Sequence, residues 1–357
     1  MKANEMPRKE EACRQTFMAE LLRAAKKDPS IMVLTSDATG SASLGDFSAE
    51  LPEQFVECGI AEQDMVGIAA GLASVGKRPF VCAPASFLSA RSFEQVKVDA
   101  AYSNKDVKLI GVSGGISYGA LGESHYSVQD FAAMRAVANL AVLCPSDAVQ
   151  AAALARALCE YKGPAYVRMG RGKCPVIYDG SESFRIGRAQ LCRQGGDVSI
   201  IAVGELVASA LDAAEMLQEE GVSARVLDMF TLDPIDVEAV MEAARETGAI
   251  VTAEEHSING GWRGRGTAHR GGAPRTRPLR GAARRGAALR LAGRDEIPLW
   301  TGRRRHSRGL PQCARTKERI DMTEKYIIAI DQSTTGTKAL LIARDGTIRD
   351  KRYMEHR

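Results

Sequence analysis

Glu62 is the residue whose position first raises the question of chemistry, because it stands where a helix is predicted to begin. It lies in Cys-Gly-Ile-Ala-Glu-Gln (58–63), followed by a helix of small residues, a strand, and a helix start that carries aromatic side chains. The helix dipole commonly stabilises an acid at a helix N-terminus. Taken alone, Glu62 is therefore interpreted as a structural acid, and a catalytic role depends on its surroundings.

A second pattern with chemical potential is the loop 111–115, which fits Gly-x-Ser-x-Gly, the nucleophile elbow of α/β-hydrolases. In that elbow the turn that holds the serine leads directly into a helix. Here a glycine-rich stretch without an apolar period follows instead. The pattern therefore argues against a hydrolase.

The first 190 residues alternate short apolar runs with amphipathic or alanine-rich segments. The apolar runs predict buried strands at 31–35, 78–82, 107–112, 140–144 and 165–169. Strand–helix alternation of this kind builds a doubly wound, mostly parallel sheet with both faces covered. Residues 1–190 are therefore predicted to form one α/β domain.

A second α/β unit is predicted over residues 191–261. Its alternation of strands and helices stops after two repeats, at the Gly-Gly pair 260–261. A domain of this kind would normally continue for more strands. The sequence therefore predicts a truncated domain whose sheet ends in an exposed edge that is prone to aggregation.

The charge distribution separates residues 262–316 from the rest of the chain. They contain fifteen arginines and two acids, whereas the remainder carries 33 bases and 42 acids and is mildly acidic. A nucleic-acid partner is therefore not expected. Segment 262–321 lacks helical and strand periods, and its composition is typical of GC-rich DNA read in a shifted frame. We predict that it is frameshifted and disordered, with a genuine basic tail as the alternative.

Residues 322–357 return to an ordinary composition. They read as a strand, a turn rich in threonine and glycine, a second strand and a hairpin turn. This segment resembles the opening of the FGGY family of sugar kinases, in which the Asp-Gln-Ser-Thr-Thr-Gly-Thr-Lys turn lies at the nucleotide phosphates. Only the N-terminal fragment of such a kinase would be present, so the resemblance implies no kinase activity.

Two further features indicate the cellular compartment of the chain. No apolar run approaches the length of a membrane span, and the first residues lack the apolar core of a signal peptide. The eight cysteines are scattered without a CxxC pair, so the spacing indicates neither a disulfide framework nor a zinc site. We therefore expect a cytoplasmic protein with no membrane partner.

The stretch around Glu62 resembles the pyrimidine-binding domain of thiamine-diphosphate transketolases, in particular of the form made as two polypeptides. The resemblance rests on Gly-Ile-Ala-Glu-Gln and on the strand and aromatic helix start that follow, through residue 96. It covers residues 14–261, where the second unit matches the C-terminal domain of that family. It implies an α/β fold and transfer of a two-carbon ketol unit from a ketose phosphate to an aldose phosphate, as in pentose phosphate metabolism.

In that family the glutamate of this motif contacts a ring nitrogen of the cofactor's aminopyrimidine, a role that the resemblance gives to Glu62. The contact stabilises the imino tautomer of the neighbouring amino group, which takes the proton from the thiazolium carbon. Phe87 and Phe93 lie where the family places aromatic rings against the pyrimidine. The alternative for both phenylalanines is a place in the core.

The resemblance also makes His125, in Gly-Glu-Ser-His (122–125), a catalytic residue that faces the substrate. An imidazole there can hydrogen-bond the hydroxyls of the donor sugar and share in proton transfer. Leu121 departs from the family pattern, because full-length members carry an aspartate there that contacts a sugar hydroxyl. Which ketose and aldose are used is therefore left open.

Three residues match family positions that bind the phosphate of the sugar: Arg14, Ser41 and Arg168. Two guanidinium groups and a hydroxyl suit a dianionic phosphate, because arginine offers planar paired donors. Asp37, in the same loop as Ser41, is interpreted as a structural or interface contact. His256 is expected to be structural.

The family pattern for the cofactor's diphosphate is missing. The family binds this group and Mg²⁺ through Gly-Asp-Gly and a downstream asparagine on a separate domain, whereas residues 45–47 here read Gly-Asp-Phe. The resemblance therefore implies that no metal ligand lies on this chain and that Mg²⁺ is held by an N-terminal diphosphate-binding transketolase subunit. It implies a hetero-oligomer of two plus two chains, with thiamine diphosphate between the subunits.

The motif around Glu62 leaves related activities open. Deoxyxylulose-phosphate synthases and dehydrogenase β-type subunits share this pair of domains. The truncated second unit also leaves open a non-catalytic remnant that binds a partner without turnover. The kinase-like segment is explained most simply by readthrough into a neighbouring sugar-kinase gene. Such a neighbour indicates an operon for sugar catabolism, which favours a transketolase.

Overall fold

The computed structural model of the chain describes residues 8–257 and three strand segments, 326–332, 336–343 and 348–355. The Arg-rich segment 262–321, which we predict to be frameshifted and disordered, lies outside the described residues. Among the helices that are described, none combines the length and the apolar character needed to cross a membrane.

The first domain alternates strands and helices as its apolar pattern predicts, and all five predicted strands are present. Its elements are β1 (Glu10–Glu11), α1 (Cys13–Ala25), β2 (Ile31–Thr35), α2 (Gly45–Glu50), β3 (Phe55–Glu57), α3 (Glu62–Ser74), β4 (Arg78–Pro84), α4 (Ala85–Ala90), α5 (Phe93–Gln95), β5 (Lys108–Val112), α6 (Asp130–Met134), β6 (Ala141–Leu143), α7 (Ala148–Glu160), β7 (Ala165–Arg168) and β8 (Cys174–Pro175). Helix α5 continues into a π-helix, Val96–Tyr102, and single 3-10 turns cover Pro52–Gln54 and Gly119–Leu121.

The second unit is shorter and uses the same alternation. Its elements are β9 (Gln190–Arg193), β10 (Val198–Ala202), α8 (Leu206–Glu219), β11 (Ala224–Asp228), β12 (Thr231–Asp233), α9 (Val237–Glu246) and β13 (Ala249–Ala253). The strands beyond it are β14 (Tyr326–Gln332), β15 (Gly336–Ala343) and β16 (Ile348–Glu355). Asp147 and Asp236 cap α7 and α9, because each carboxylate accepts a hydrogen bond from a backbone N–H in the first turn.

The first sheet has the strand order β12-β6-β7-β5-β4-β2-β3, and all its pairs are parallel except that of β12 with β6. Successive side chains of β2 enter different clusters. Ile31 and Val33 pack with α1 and α7, whereas Met32 and Leu34 pack with α3. Both faces of the sheet are thus buried, which confirms the predicted doubly wound α/β fold.

The two domains interleave at β12. Strand β11 ends at Asp228, and the next strand crosses to pair with β6 of the first sheet. The hydrophobic cluster beneath α3 also continues into the second domain through Val203, Leu227 and Met229. The domains therefore share part of one core, which fixes their relative position.

The second sheet has the order β16-β15-β14-β13-β10-β11-β9. Strand β14, from the kinase-like segment, runs parallel to β13 and pairs with it from Ala249–Tyr326 to Thr252–Ala329. The prediction that this sheet ends in an exposed edge after residue 261 is therefore wrong. An edge strand presents unpaired N–H and C=O groups, and a later extended segment of the same chain satisfies them here.

Candidate active site

Glu62 is the first residue of α3, and the turn before it is fixed by backbone contacts. The N–H of Cys58 donates to the carbonyl of Thr35 at 2.9 Å, and Gly59 adopts a φ of +68°, a conformation that favours glycine. The side chain of Glu62 is only 3% exposed, and its Oε1 accepts a hydrogen bond of 2.9 Å from Nη1 of Arg91. The predicted helix-start acid is therefore a buried carboxylate with a half-exposed cationic partner.

Phe87 connects this acid to the next predicted site residue. The guanidinium of Arg91 lies 3.9 Å from the centre of the Phe87 ring, which is a cation–π contact. The same ring meets His125 in an edge-on arrangement, with 5.1 Å between ring centroids. Sequence reasoning missed Arg91, although its spacing of four residues from Phe87 could have indicated a shared helical face.

His125 is held between two side chains of its own loop. Its Nδ1 lies 3.0 Å from Oγ of Ser124, and the ring of Tyr118 approaches edge-on at 5.2 Å. With Nδ1 engaged by a hydroxyl, Nε2 is the nitrogen that can face a sugar hydroxyl. Leu121 belongs to the same loop and is half exposed, so this loop offers an imidazole together with an apolar side chain.

A cationic cluster lies on the other side of Tyr118. The guanidinium of Arg171 lies 4.5 Å from the centre of the Tyr118 ring. Nε of Arg14 donates to the backbone carbonyl of Arg171 at 3.2 Å, and Nη1 of Arg14 donates to the carbonyl of Ser41. Burial and then the positive charge of Arg171 lower the pKa of Arg14. Two like charges held this close favour an anion as a shared partner.

The structure does not bring all three predicted phosphate-binding residues into this cluster. Arg168 is buried, pairs with Asp130 at 3.1 Å, and donates to the carbonyl of Glu255 at 2.9 Å. Its donors therefore serve the joint between the two domains. Arg171, which sequence reasoning missed, stands beside Arg14 instead. The predicted phosphate contact of Arg168 stays a prediction.

Ser41 and Phe93 are less directly placed for their predicted roles. The hydroxyl of Ser41 donates to the carbonyl of Ala38 at 3.1 Å and would have to rotate to donate to a phosphate. Phe93 packs half-buried against the cluster beneath α3, the core position that is the alternative for it. The predicted cofactor contact of Phe93 stays a prediction.

Asp37 shapes the loop that leads to Ser41. Its φ is +52°, and its N–H donates to Oε1 of Glu57 at 2.7 Å. The same carboxylate oxygen accepts from the N–H of Gly59 at 3.0 Å, three residues before Glu62. Glu57 thus couples the loop of the cationic cluster to the turn that positions Glu62.

His256 lies in the joint between the domains and is 1% exposed. Its Nδ1 contacts the carbonyl of Ser257 at 2.8 Å, and its Nε2 contacts the N–H of Ala132 at 3.2 Å. Because a carbonyl only accepts and an N–H only donates, the proton of the neutral ring is on Nδ1. Burial lowers the pKa of His256 accordingly. These contacts agree with the structural role expected for it.

Family models match the two described domains separately. Residues 9–176 match the model of the transketolase pyrimidine-binding domain, and residues 187–265 match that of the transketolase C-terminal domain. The second match ends near the Gly-Gly pair 260–261, where the composition of the chain changes.

Similar proteins include subunits of split transketolases. The chain is 53% identical over 251 residues to an apulose-4-phosphate transketolase subunit of Phocaeicola vulgatus, an alignment that covers 70% of this chain and 80% of that protein. It is 40% identical to the 6-deoxy-6-sulfo-D-fructose transketolase subunit SqwH of Clostridium sp., over 70% of this chain and 77% of that one. A solved split-gene transketolase, described as an inactive beta4 tetramer, is 40% identical with a TM-score of 0.65 and covers 70% of this chain and 81% of its own.

Proposed function

This chain belongs to the transketolase family, and on that premise we propose that it is the pyrimidine-binding subunit of a transketolase that works only with a diphosphate-binding partner subunit. The observation that carries the proposal is the buried carboxylate of Glu62, paired with the half-exposed Arg91 beside the ring of Phe87. Arg91 and the N-terminus of α3 together stabilise this buried acid. The family uses thiamine diphosphate, and the proposal gives Glu62 the contact with its pyrimidine.

The residues around Glu62 fit the aminopyrimidine of that cofactor. A hydrogen bond from the buried carboxyl to a ring nitrogen would be strong, because little solvent competes for it. Phe87 offers an aromatic face for stacking, and Arg91 can turn into solvent when the pyrimidine takes its place. Bound there, the cofactor supplies the carbon nucleophile that carries the two-carbon ketol unit. Glu62 would hold the proton at the pyrimidine nitrogen.

The diphosphate and its Mg²⁺ are assigned to a partner, because this sequence lacks the Gly-Asp-Gly motif. An exposed apolar face next to Glu62 supports the assignment. Its members are Ile60 at 73% exposure, Ile68 at 43%, Val75 at 77%, Val98 at 39% and Tyr102 at 83%. Gly67 and Gly71 line a groove between α3 and the π-helix of this face. Exposed apolar surface of this kind marks protein interfaces, so we propose that the diphosphate-binding subunit docks here, in an assembly of two plus two chains.

The order of the side chains suits a ketose phosphate as donor. From Glu62 the contacts run through Arg91 to Phe87, and from there through His125 and Tyr118 to the cationic cluster. The reacting carbon would lie at the cofactor, the sugar hydroxyls at His125, and the phosphate at the two arginines. The relative at 53% identity is named for apulose 4-phosphate. We therefore propose a ketose phosphate of that class as the donor.

Reconstitution tests the proposal. The full-length chain would be mixed with its diphosphate-binding subunit, thiamine diphosphate and Mg²⁺, and ketol transfer to an aldose phosphate would be followed with apulose 4-phosphate or xylulose 5-phosphate as donor. We expect turnover only with both subunits present, and weak cofactor binding by this chain alone. Tight Mg²⁺-dependent cofactor binding by the isolated chain would contradict the split arrangement. Partner binding without turnover would instead identify a non-catalytic remnant.

A single variant tests the role of Glu62. Glu62→Gln, assembled with the partner, should fold and assemble but lose about 10²–10⁴-fold in the hydrogen–deuterium exchange rate at the thiazolium carbon. Glu53→Gln, which changes an exposed acid in a 3-10 turn, is the matched control and should leave the exchange rate unchanged. An unchanged rate in Glu62→Gln would remove the basis of the assignment.

A further inference from the structure

Two thiols meet in the core next to the cationic cluster. Cys13, the first residue of α1, and Cys174, in β8, are each 1% exposed, and their Sγ atoms are 3.5 Å apart. A carboxylate oxygen of Glu205, at the start of α8, lies within 4.8 Å of both sulfurs. Among the described residues, no other set of three histidine, cysteine or acidic side chains is grouped this closely.

The spacing of the sulfurs fits a metal ion better than a covalent bond. With Zn–S bonds of about 2.3 Å, two thiolates of a tetrahedral zinc site lie about 3.8 Å apart. The observed 3.5 Å differs from that edge by a few tenths of an ångström, whereas a disulfide requires sulfurs about 2.05 Å apart. Two thiolates with one carboxylate are a ligand set that suits Zn²⁺.

The backbone holds the three ligands in place. Strands β1 and β8 pair antiparallel with Glu11 opposite Cys174, which brings Cys174 to the start of α1. The carboxylate of Glu205 is seated against Gly170, where an added Cβ would collide with its Oε1. The carboxylate of Glu205 therefore occupies the space that a side chain at position 170 would take. The cluster is therefore formed by three separate segments that the fold brings together.

We propose that Cys13, Cys174 and Glu205 form a site for a thiophilic divalent cation of the Zn²⁺ class, with water or a backbone carbonyl as the fourth ligand. The ion would tie α1 and β8 of the first domain to the start of α8 in the second domain. Cys13 directly precedes Arg14, and Gly170 directly precedes Arg171. The ion would thus also stabilise the backbone that carries both arginines of the cationic cluster.

The alternative, a disulfide, is less well supported by the geometry, because the two sulfurs would have to approach by about 1.5 Å to form the bond.

Metal titration of the full-length chain tests the proposal without any enzymatic readout, so its outcome is separate from that of the proposed function. The chain would be reduced with a phosphine, freed of metal, and titrated with Zn²⁺ in competition with a chromophoric chelator. Co²⁺ would serve as the spectroscopic probe, through its thiolate charge-transfer absorption. We expect one ion per chain and a charge-transfer band with wild type.

Matched variants assign the ligands. Loss of an outer-shell partner already costs about 10–100-fold in metal affinity, so Cys13→Ser and Cys174→Ser should each cost about 100-fold or more. Each should also weaken the cobalt band, and the double variant should abolish it. Glu205→Gln should weaken binding but keep the band. Cys159→Ser, on α7, and Cys313→Ser, outside the described residues, remove thiols elsewhere and should leave binding unchanged.

Three results would overturn the proposal. The first is absence of stoichiometric Zn²⁺ binding by the reduced wild-type chain. The second is one-to-one binding that persists in the double variant of Cys13→Ser and Cys174→Ser. The third is a peptide linked through Cys13 and Cys174, two hydrogens lighter, in the chain as purified without reductant, with no metal present. If the serine variants fail to fold, the wild-type titration and its cobalt spectrum still decide.

Discussion

Two arginine–carboxylate pairs in this chain have the same chemistry and opposite surroundings. Arg91 meets Glu62 at 2.9 Å with 46% of the arginine side chain exposed, whereas Arg168 meets Asp130 at 3.1 Å with 6% and 0% of the two side chains exposed. A half-exposed partner can leave at little cost, while breaking a buried pair strands a charge in the core. Exposure of the cation, more than residue type, therefore separates a pair that can serve a ligand from one that holds domains together.

The surroundings of the buried pair show how it is locked. The hydroxyl of Tyr166 donates to Oδ2 of Asp130 at 2.8 Å, and the guanidinium of Arg168 lies 4.0 Å from the centre of the Phe131 ring. Burial by itself lowers the pKa of Arg168, but the negative groups around it, with Asp130 the strongest, together outweigh burial and raise the pKa. The ring of His256 stacks on the same Phe131 ring, with 5.6 Å between the ring centroids. These contacts form one buried network at the joint between the two domains.

The strongest test of this comparison removes the buried cation. Arg168→Met should lower the free energy of unfolding by about 3–5 kcal/mol, because Asp130 is left as an unpaired buried charge. Urea unfolding, followed by circular dichroism, measures the loss. Adding Asp130→Asn to the same variant should restore part of it. A loss below about 1 kcal/mol, typical of surface pairs, would show that the pair is not enclosed as described.

The next test concerns the cationic cluster and rests on the proposed function. Arg171→Ala should raise KM for a ketose phosphate about 10–100-fold with little change in kcat, since hydrogen bonds to charged groups contribute about 1.5–3 kcal/mol. Steady-state kinetics of the reconstituted enzyme give the two constants. Arg23→Ala, which removes an exposed arginine of α1, is the control and should leave both unchanged. A lower kcat at unchanged KM would contradict a phosphate-binding role.

The pH dependence of stability tests the role of His256 at the joint between the two domains. The folded-state pKa of His256 lies below its ordinary value, so on acidification the unfolded chain takes up this proton first. The stability contributed by neutral His256 is present above the ordinary pKa of about 6.5 and is lost as the pH falls below it, by at most about 1.4 kcal/mol per pH unit.

Urea midpoints of wild type and His256→Gln between pH 7.5 and 5 would isolate this effect. The pH dependence of the urea midpoint is compared between the two chains because burial also raises the pKa of Asp228 to about 6. Both chains contain that carboxyl, so its effect cancels in the difference. Asp228 acts in the opposite direction, since its contribution is lost as the pH rises through about 6. Equal pH dependence of the two chains would show that His256 does not titrate as inferred.

The smallest effect is expected at the half-exposed pair. Arg91→Met should lower the free energy of unfolding by about 1 kcal/mol or less, because solvent screens Arg91 and the N-terminus of α3 still stabilises Glu62. Double-mutant cycles of the two pairs compare them directly. A coupling energy for Glu62 and Arg91 as large as that for Asp130 and Arg168 would contradict the distinction between an exchangeable and a locked pair.

The amino-acid sequence by itself determined the α/β alternation, all five predicted strands of the first sheet, and the place of Glu62 at the start of α3. These features follow from periodicity and from residues close together in the chain, which is where local sequence acts most directly. The family resemblance also gave Phe87 and His125 as candidate site residues. The tertiary structure then showed that their rings meet beside Arg91.

Only the tertiary structure decided which residues share a site. Arg168 and Arg171 are three residues apart, yet one is buried in the joint and the other meets Arg14, because the chain leaves the sheet between them. The thiols of Cys13 and Cys174 are separated by 161 residues and have no motif spacing, yet their sulfurs lie 3.5 Å apart. Burial and contact depend on what the chain packs against, and that information is spread over segments far apart in the sequence.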